Sequence, residues 1–150
     1  MEDFVSVYQT MEEYVEVGQV KQIGLCNCYD IQMFSYLYDI AKVKPKVLQN
    51  RFYADSSYDK ELREFCKHKN ISYQSFWSLS ANPHILVSKE VLLLCKKYNK
   101  TSAQVFYRFL QQINITPLNG TTSQKHMRED LDIVSFFLEK EEINTVLKLL

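Results

Sequence analysis

Residues 20–49, with the sequence VKQIGLCNCYDIQMFSYLYDIAKVKPKVLQ, decide the fold class. The segment opens with VKQIGL at 20–25, a short and partly alternating stretch that predicts a β-strand. Asp30 can then cap a helix that runs to about Ala41. A second predicted strand, KVLQ at 46–49, follows this helix. Strand, helix and strand in succession indicate a βα unit and a parallel sheet.

The same alternation extends to both sides of this segment. Apolar Met11, Tyr14 and Val15 lie at helical spacing, and Gly18 is a natural stop, so they predict the end of an amphipathic helix. The other predicted helices are 57–69, 88–98, 101–111, 124–131 and 139–150, and the other predicted strands are 71–76 and 115–118. A complete (β/α)8 barrel takes about 250 residues. The sequence therefore predicts a partial TIM barrel, about half of one, with four parallel strands, outer helices and a single domain over residues 1–150.

Composition excludes several classes of partner. Lys plus Arg and Asp plus Glu number 18 each, so the net charge is zero and nothing favours nucleic acid or an anionic membrane. No apolar run reaches membrane-spanning length, and the acidic start at 1–4 is unlike a signal peptide. We therefore expect a cytoplasmic protein without membrane or nucleic-acid partners.

The cysteines are interpreted as free, buried thiols, as is usual in a reducing compartment. Cys26 and Cys28 are separated by one residue, but neither a second close pair nor paired histidines completes a tetrahedral set of metal ligands. We expect no metal site.

Several segments, spread in order along the whole chain, match the motifs of one family. They are 11–13 (MEE) with 18–27 (GQVKQIGLCN), 44–50 (KPKVLQN), 64–67 (EFCK) with Ile71, 100–105 (KTSAQV), and 115–122 (ITPLNGTT) with 126–127 (HM) and 129–131 (EDL). In this order they resemble the C-terminal half of the aldo-keto reductases, NADP-dependent oxidoreductases built on a (β/α)8 barrel. The resemblance implies that the chain is the NADP(H)-binding half of such a barrel.

The resemblance assigns residues to the nicotinamide end of the cofactor. Cys26 and Asn27 stand where the family has Ser-Asn, which together with the residue at Gln49 holds the nicotinamide carboxamide. Phe76 stands where the family has the Tyr that stacks on nicotinamide, and Leu79 falls in the loop that crosses the pyrophosphate. We expect Asn27, Gln49, Phe76 and also Thr121 to lie at the carboxyl ends of their strands, where parallel barrels carry their working residues.

The adenosine end of the cofactor maps to the start of a predicted helix. The residues that the resemblance places there are Thr121, Thr122, His126, Glu129 and Asp130. Gly120 and His126 occupy the positions of the family's Lys and Arg, and histidine does not reproduce the bidentate phosphate contact of arginine. We therefore expect NADP(H) binding to be weak or lost.

None of the family's catalytic residues can be assigned in this chain. The resemblance places the catalytic Asp, Tyr, Lys and His on the first four strands of the barrel, which none of the matching segments includes. The remaining carboxylates and tyrosines of the central region are interpreted as a solvated helix start and as packing residues; they are Asp55, Asp59, Glu61, Tyr53, Tyr58 and Tyr73. His68 and His84 lack a companion nucleophile motif.

Three functions are compatible with these observations. The first is an oxidoreductase half that needs a complementary N-terminal half-barrel for activity. The second is a non-catalytic module of the same descent that binds a nucleotide or a protein. The third is a remnant without activity. A half-barrel exposes two strand edges and an inner face expected to be apolar, and such surfaces invite pairing. We therefore expect a homo-oligomer or a complementary half-barrel as partner.

Overall fold

The computed structural model describes residues 2–150, and this range contains four β-strands and eight α-helices. The strands are β1 Gly24–Cys26, β2 Val47–Arg51, β3 Ser72–Phe76 and β4 Ile115–Pro117. The helices are α1 Glu2–Glu16, α2 Ile31–Ile40, α3 Lys60–Lys69, α4 Pro83–Leu86, α5 Lys89–Tyr98, α6 Ser102–Gln112, α7 Gln124–Leu131 and α8 Lys140–Leu147. Two 3-10 segments, Ala54–Asp59 and Asp132–Ser135, complete the described elements.

The four strands form one sheet in the order β1-β2-β3-β4, which confirms the predicted α/β fold. Strand β1 runs parallel to β2, with Cys26 opposite Gln49. The first strand begins at Gly24 and not at the predicted residue 20; before it, the Ile23 carbonyl still accepts from the Lys46 N–H at 2.9 Å.

Strands β1 and β2 approach unusually closely at Gly24. A Cβ atom built on this glycine meets the backbone oxygen of Val47 at 2.4 Å and the Val47 Cβ at 2.9 Å. Only a residue without a side chain permits this contact, because backbone atoms do not yield as the tip of a flexible side chain does.

Helix starts follow the predicted capping chemistry. The Asp30 carboxylate accepts hydrogen bonds from the backbone N–H groups of Gln32 at 2.8 Å and Met33 at 3.1 Å, which confirms it as the cap of α2. Thr101 and Gln104 form a reciprocal capping box at the start of α6.

The chain packs as two compact units, the first made of residues 2–50 with 59–74 and the second of 51–58 with 75–150. In the first unit, α1 turns Tyr8 and Glu12 inward, where the Tyr8 hydroxyl donates to the Val43 carbonyl at 2.9 Å and the Glu12 carboxylate accepts from the Val43 N–H at 2.8 Å. Met11 and Tyr14, predicted on the apolar face, are exposed. Val15, also predicted on the apolar face, packs with Phe4 and Val5 against the core cluster around Tyr8, so the buried face of this helix combines apolar packing with the hydrogen bonds to Val43.

The second unit is built around α6, whose buried residues include Phe106 and Phe109 and whose apolar face packs on Phe52. Three ion pairs connect its later elements: Lys97 pairs with Glu139 at 2.9 Å and with Glu142 at 2.7 Å, and Lys100 pairs with Asp132. Helix α4 was not predicted, since four residues are too few to produce a periodic pattern.

A left-handed turn precedes α3. Ser57, Tyr58 and Asp59 have φ values of 49°, 52° and 51°, so the helix predicted from Ser57 begins only at Lys60. The turn carries Asp59 to the interior, where it is 4% exposed. The interpretation of Asp59 as part of a solvated helix start is therefore wrong.

The helices in the described part of the chain fall short of the length and apolar character that a bilayer crossing needs.

Candidate functional site

A row of polar side chains crosses β1, β2 and β3 on one face of the sheet. The Asn27 amide donates to the Cys26 sulfur at 3.3 Å, and the Cys26 thiol lies 3.7 Å from Gln49 Oε1. Gln49 Nε2 in turn donates to Gln74 Oε1 at 3.0 Å. Three of the predicted nicotinamide residues, Cys26, Asn27 and Gln49, therefore lie together. Gln74 was missed, although its position two residues before Phe76 places it on the same face of β3.

Two expectations about this face need correction. Gln49 was predicted at the end of its strand but lies within β2, which continues to Arg51. The inner face was predicted to be apolar, yet Cys26, Gln49 and Gln74 make it polar over the first three strands. The hydrogen-bonded amides satisfy one another, so the face needs no apolar cover.

Asn27 lies directly after β1 in the left-handed region, with φ of 58°, and its Oδ1 accepts from the Tyr29 hydroxyl at 3.3 Å. The next residue is clamped by Asn50, whose Oδ1 accepts from the Cys28 N–H at 3.0 Å and whose Nδ2 donates to the Cys28 carbonyl at 2.7 Å. Asn50 is fully buried. This clamp fixes the backbone that presents Asn27.

The clamp continues into a buried hydrogen-bond network. Asp59 Oδ2 accepts from Asn50 Nδ2 at 2.7 Å and from the Tyr73 hydroxyl at 2.8 Å. Burial, and after it the negative charge of Asp59, raises the pKa of Tyr73 above its usual value. Tyr73 therefore remains a protonated donor to Asp59, in agreement with the packing role predicted for it.

A pocket of about 570 Å³ opens beside this row. It is lined by the loop 26–28 that follows β1, by Tyr29, Asp30 and Met33 at the start of α2, and by Phe4 of α1. The pocket borders Cys26 and Asn27, so ligands of substantial size can reach these side chains.

The end of β3 carries the other residues of the predicted nicotinamide end. Phe76 is the last residue of β3, as predicted, and is half-buried. Trp77 follows it in the left-handed region with φ of 55°. Leu79 lies in the following loop, where the Asn82 N–H donates to the Leu79 carbonyl at 3.1 Å and the Ala81 N–H donates to the Trp77 carbonyl at 2.9 Å. These two hydrogen bonds fold the loop into a compact turn.

The predicted adenosine end lies in the loop after β4 and on α7. Thr121 Oγ1 is 3.5 Å from His126 Nδ1 and accepts from the Ser123 N–H at 3.1 Å, while Thr122 is exposed. Because β4 ends at Pro117, Thr121 lies in the loop beyond the strand and not at the strand end as predicted.

The two carboxylates predicted at the adenosine end already have partners. Glu129 pairs with Lys125 at 3.7 Å, and Asp130 accepts from the Asn119 amide at 2.6 Å. The assignment of both carboxylates to the adenosine end stays a prediction.

The cysteines differ in exposure. Cys28 and Cys66 are buried as predicted, and burial raises the pKa of Cys28 and raises that of Cys66 to about 12. Cys26 is exposed, which corrects the prediction that all four thiols are buried. Within residues 2–150, no three His, Cys, Asp or Glu side chains are arranged to hold a metal ion.

Solved structures with the same arrangement of elements include an aldo-keto reductase and an aldose reductase. An aldo-keto reductase enzyme from a Medee basin deep-sea metagenome library superposes with a TM-score of 0.88 at 24% identity, over 99% of this chain and 54% of that one. The aldose reductase from Schistosoma japonicum gives a TM-score of 0.81 at 23% identity, over 97% and 46%. A variant of Gox0644 in complex with NADPH gives 0.86 at 24% identity, over 97% and 52%. The fold is thus that of about half of these barrels.

Curated relatives show the same partial coverage. Aldose reductase B from Dictyostelium discoideum is 30% identical over 93% of this chain and 44% of its own length. Glyoxal reductase from Bacillus subtilis is 25% identical over 95% and 51%. The chain spans about half the length of the curated relatives it matches.

Sequence and fold agree on a single assignment. The model of the aldo/keto reductase family matches residues 2–150, nearly the whole chain. The chain therefore belongs to the aldo/keto reductase family.

Proposed function

We propose that this chain is the C-terminal, cofactor-binding half of an aldo-keto reductase barrel, and that it binds nicotinamide nucleotides without reducing carbonyl compounds by itself. The observation that carries the proposal is the hydrogen-bonded row formed by Asn27, Cys26 and Gln49. The resemblance gives these positions to the nicotinamide carboxamide, and the row is bordered by an open pocket.

The chemistry of the row fits a carboxamide. A carboxamide has one acceptor oxygen and two N–H donors, and the side chains of Asn27 and Gln49 offer both kinds of group. Gln49 Nε2 donates to Gln74, and this hydrogen bond orients Gln49 Oε1 toward Cys26. Gln49 therefore presents its acceptor oxygen on the Cys26 side of the row. A bound dihydronicotinamide supplies a hydride, and the role of these residues is to orient the ring.

The adenosine end fits a 2′-phosphate poorly. His126 replaces the guanidinium expected there, and Lys125 is already paired with Glu129. A charge-assisted phosphate contact is worth about 1.5–3 kcal/mol, so its loss weakens binding by roughly ten- to a hundredfold. We therefore expect weak affinity and little preference for NADPH over NADH.

Titration calorimetry with NADPH and NADH tests this proposal. We expect both nucleotides to bind weakly, Gln49→Leu to weaken binding of each by about tenfold, which corresponds to one lost hydrogen bond, and His126→Arg to favour NADPH. Gln9→Leu is the matched control, because Gln9 is exposed on α1. Tight, NADPH-selective binding would contradict the argument that His126 weakens binding of the 2′-phosphate. If neither nucleotide binds, the chain is better interpreted as a remnant without activity.

We further propose a partner chain, either a second copy or a complementary N-terminal half-barrel. Among the described strands, β1 and β4 stand at the ends of the sheet order, so each has one unpaired edge. Such edges template further pairing. Light scattering of the purified chain is expected to show self-association, and a monomer across the accessible concentrations would leave only the complementary half as partner.

A further inference from the structure

Helix α1 carries an exposed apolar row beside its buried face. Val7, Met11 and Tyr14 follow one another at intervals of four and three residues, so they lie on one side of the helix. All three are exposed, Val7 to 62%, whereas Tyr8 and Glu12 are buried. Surface helices normally direct polar residues to solvent. The row is therefore an apolar surface in addition to the face that packs on the core.

The charged side chains beside this row are acidic. Asp3 lies one turn before Val7 on the same side of α1, Glu13 directly precedes Tyr14, and both carboxylates are exposed. The sequence of α1 contains no lysine, arginine or histidine. In the described part of the chain, neither Asp3 nor Glu13 takes part in an ion pair. The surface formed by Asp3, Val7, Met11, Glu13 and Tyr14 is called the acidic face below.

Helix α5 carries a surface of similar shape and opposite charge. Leu92 and Leu93 are both exposed, Leu93 to 55%. Lys89 and Lys96 stand three or four residues before and after these leucines, so the four side chains share one side of the helix. Both lysines are exposed, and among the described residues the ion-paired lysine of this helix is Lys97. The surface formed by Lys89, Leu92, Leu93 and Lys96 is called the basic face below.

Charge decides which surface can cover the acidic face. Two acidic faces in contact would bring carboxylates against carboxylates, and two basic faces would bring lysines against lysines, both of which are unfavourable. An acidic face on a basic face places opposite charges around a centre of apolar side chains, the usual composition of a protein interface. The net charge of the chain is zero, so two copies do not repel each other as whole molecules.

We infer that the acidic face of α1 in one copy of the chain docks on the basic face of α5 in a second copy. The inference rests on the second copy already proposed as a partner, but it depends on side chains of two helices and not on the edges of β1 and β4. Two short helix faces bury less than the roughly 1,600 Å² of a standard interface, so the association is expected to be weak. Two copies use the contact twice if their geometry closes, and otherwise each end stays free for a further copy.

Two charge-reversed variants test the pairing, with sedimentation velocity over a wide range of concentration as the measurement. The first, Asp3→Lys with Glu13→Lys, makes both faces basic. The second, Lys89→Glu with Lys96→Glu, makes both faces acidic. Each variant alone brings like charges together, so we expect self-association at least about tenfold weaker than that of the parent chain.

Mixing the two variants separates charge matching from simple damage. In the mixture, the lysines on α5 of the first variant meet the carboxylates on α1 of the second, so association should return. A chain that carries all four substitutions exchanges the charges of its two faces and should also associate. The matched control is Lys42→Glu with Lys140→Glu, at exposed positions outside α1 and α5, and it should associate as the parent chain does.

Each result decides the inference. Self-association that neither variant weakens overturns it and leaves strand-edge pairing as the contact between copies. Weakened association that mixing does not restore overturns it as well, because charge matching is then not responsible. A parent chain that stays monomeric rejects the second copy altogether and leaves the acidic face for another protein; nucleotide titration is independent of all these results.

Far-UV circular dichroism verifies the folding of each variant. If a charge-reversed variant does not fold, the neutral versions Asp3→Asn with Glu13→Gln, or Lys89→Gln with Lys96→Gln, replace it. Each neutral version should weaken self-association by a smaller factor than the reversal, since it removes attraction without adding repulsion. Unchanged association in both neutral versions overturns the inference.

Discussion

The side-chain amide of Asn50 donates a 2.7 Å hydrogen bond to the carboxylate of Asp59, and both residues are buried. The same Asn50 brackets the backbone N–H and carbonyl of Cys28. One side chain thus joins the left-handed turn before α3 to the loop that presents Asn27. The backbone conformation of Asn27, a candidate ligand-binding residue, therefore depends on Asp59, which lies outside the polar row.

Removal of the Asn50 side chain should destabilise the chain strongly. Asn50→Ala leaves the N–H and the carbonyl of Cys28 without their partner in the interior, and each such loss costs about 1–3 kcal/mol, while Asp59 Oδ2 keeps only the Tyr73 hydroxyl as its donor. We expect the free energy of unfolding in urea to fall by about 3 kcal/mol, allowing for relaxation. The control is Asn119→Ala, which breaks an exposed contact with Asp130 and should change it by no more than about 0.5 kcal/mol. If the free energy of unfolding fell equally in the two variants, the buried hydrogen bonds of Asn50 would stabilise the chain no more than the exposed contact of Asn119 does.

The thiols should react in order of exposure. Cys26 is exposed, whereas burial raises the pKa values of Cys28 and Cys66 and suppresses the reactive thiolate. We expect Ellman's reagent at about pH 8, near the ordinary thiol pKa, to modify Cys26 quickly, half-buried Cys95 more slowly, and the other two only after unfolding. Cys26→Ser should remove the fast phase and Cys95→Ser should spare it. Persistence of the fast phase in Cys26→Ser would refute the assignment.

Helix α8 should lose its attachment in acid. Burial alone would raise the pKa of Glu142, but hydrogen bonds from Lys97 and Tyr98 outweigh it and hold the pKa below its usual value. A carboxyl group with a lowered folded pKa stabilises the fold above its unfolded pKa, about 4.3, and this stabilisation is lost as the pH falls through the folded value.

Urea midpoints measured from neutral pH down to about pH 3, below the unfolded pKa of glutamate, check this expectation. The midpoint of the parent chain should fall more steeply below about pH 4 than that of Glu142→Gln. Glu141→Gln, at the exposed neighbouring position, should follow the parent chain. Parallel curves for the parent and Glu142→Gln would exclude a contribution from this carboxyl group.

The isolated chain should not reduce aldehydes. The resemblance assigns none of the family's catalytic residues to this chain, and the loss of general acid help alone costs roughly 10² to 10⁴-fold. Burial and Asp59 raise the pKa of Tyr73, so this tyrosine is not available as a substitute acid. We expect no consumption of NADPH with 4-nitrobenzaldehyde. Consumption that Gln49→Ala abolishes would demonstrate catalysis by the chain itself.

The sequence predicted the succession of elements because local chemistry encodes it. The Asp30 cap and the short β-branched or apolar strands each leave a local pattern, and each was found close to its expected position. The family motifs assigned Cys26, Asn27 and Gln49 to one site, and the structure places these side chains in a hydrogen-bonded row.

Features that depend on tertiary hydrogen bonds were missed. Asp59 has the local sequence of a helix start, and only the left-handed residues before α3 turn it toward Asn50 and Tyr73. The burial of Glu12 in α1 is likewise explained only by its hydrogen bond with the Val43 N–H, a contact between distant segments. Polar groups that pair across distant segments leave no periodic trace in the sequence.

Gly24 limits the substitutions that the sequence of this chain can accept during evolution. The side chains of the polar row can be exchanged one at a time at the cost of a contact, whereas any side chain at position 24 collides with the Val47 backbone and separates β1 from β2. The alignment of Cys26 with Gln49 depends on that approach. The polar row can therefore change by gradual substitution, whereas position 24 must remain glycine to keep β1 beside β2.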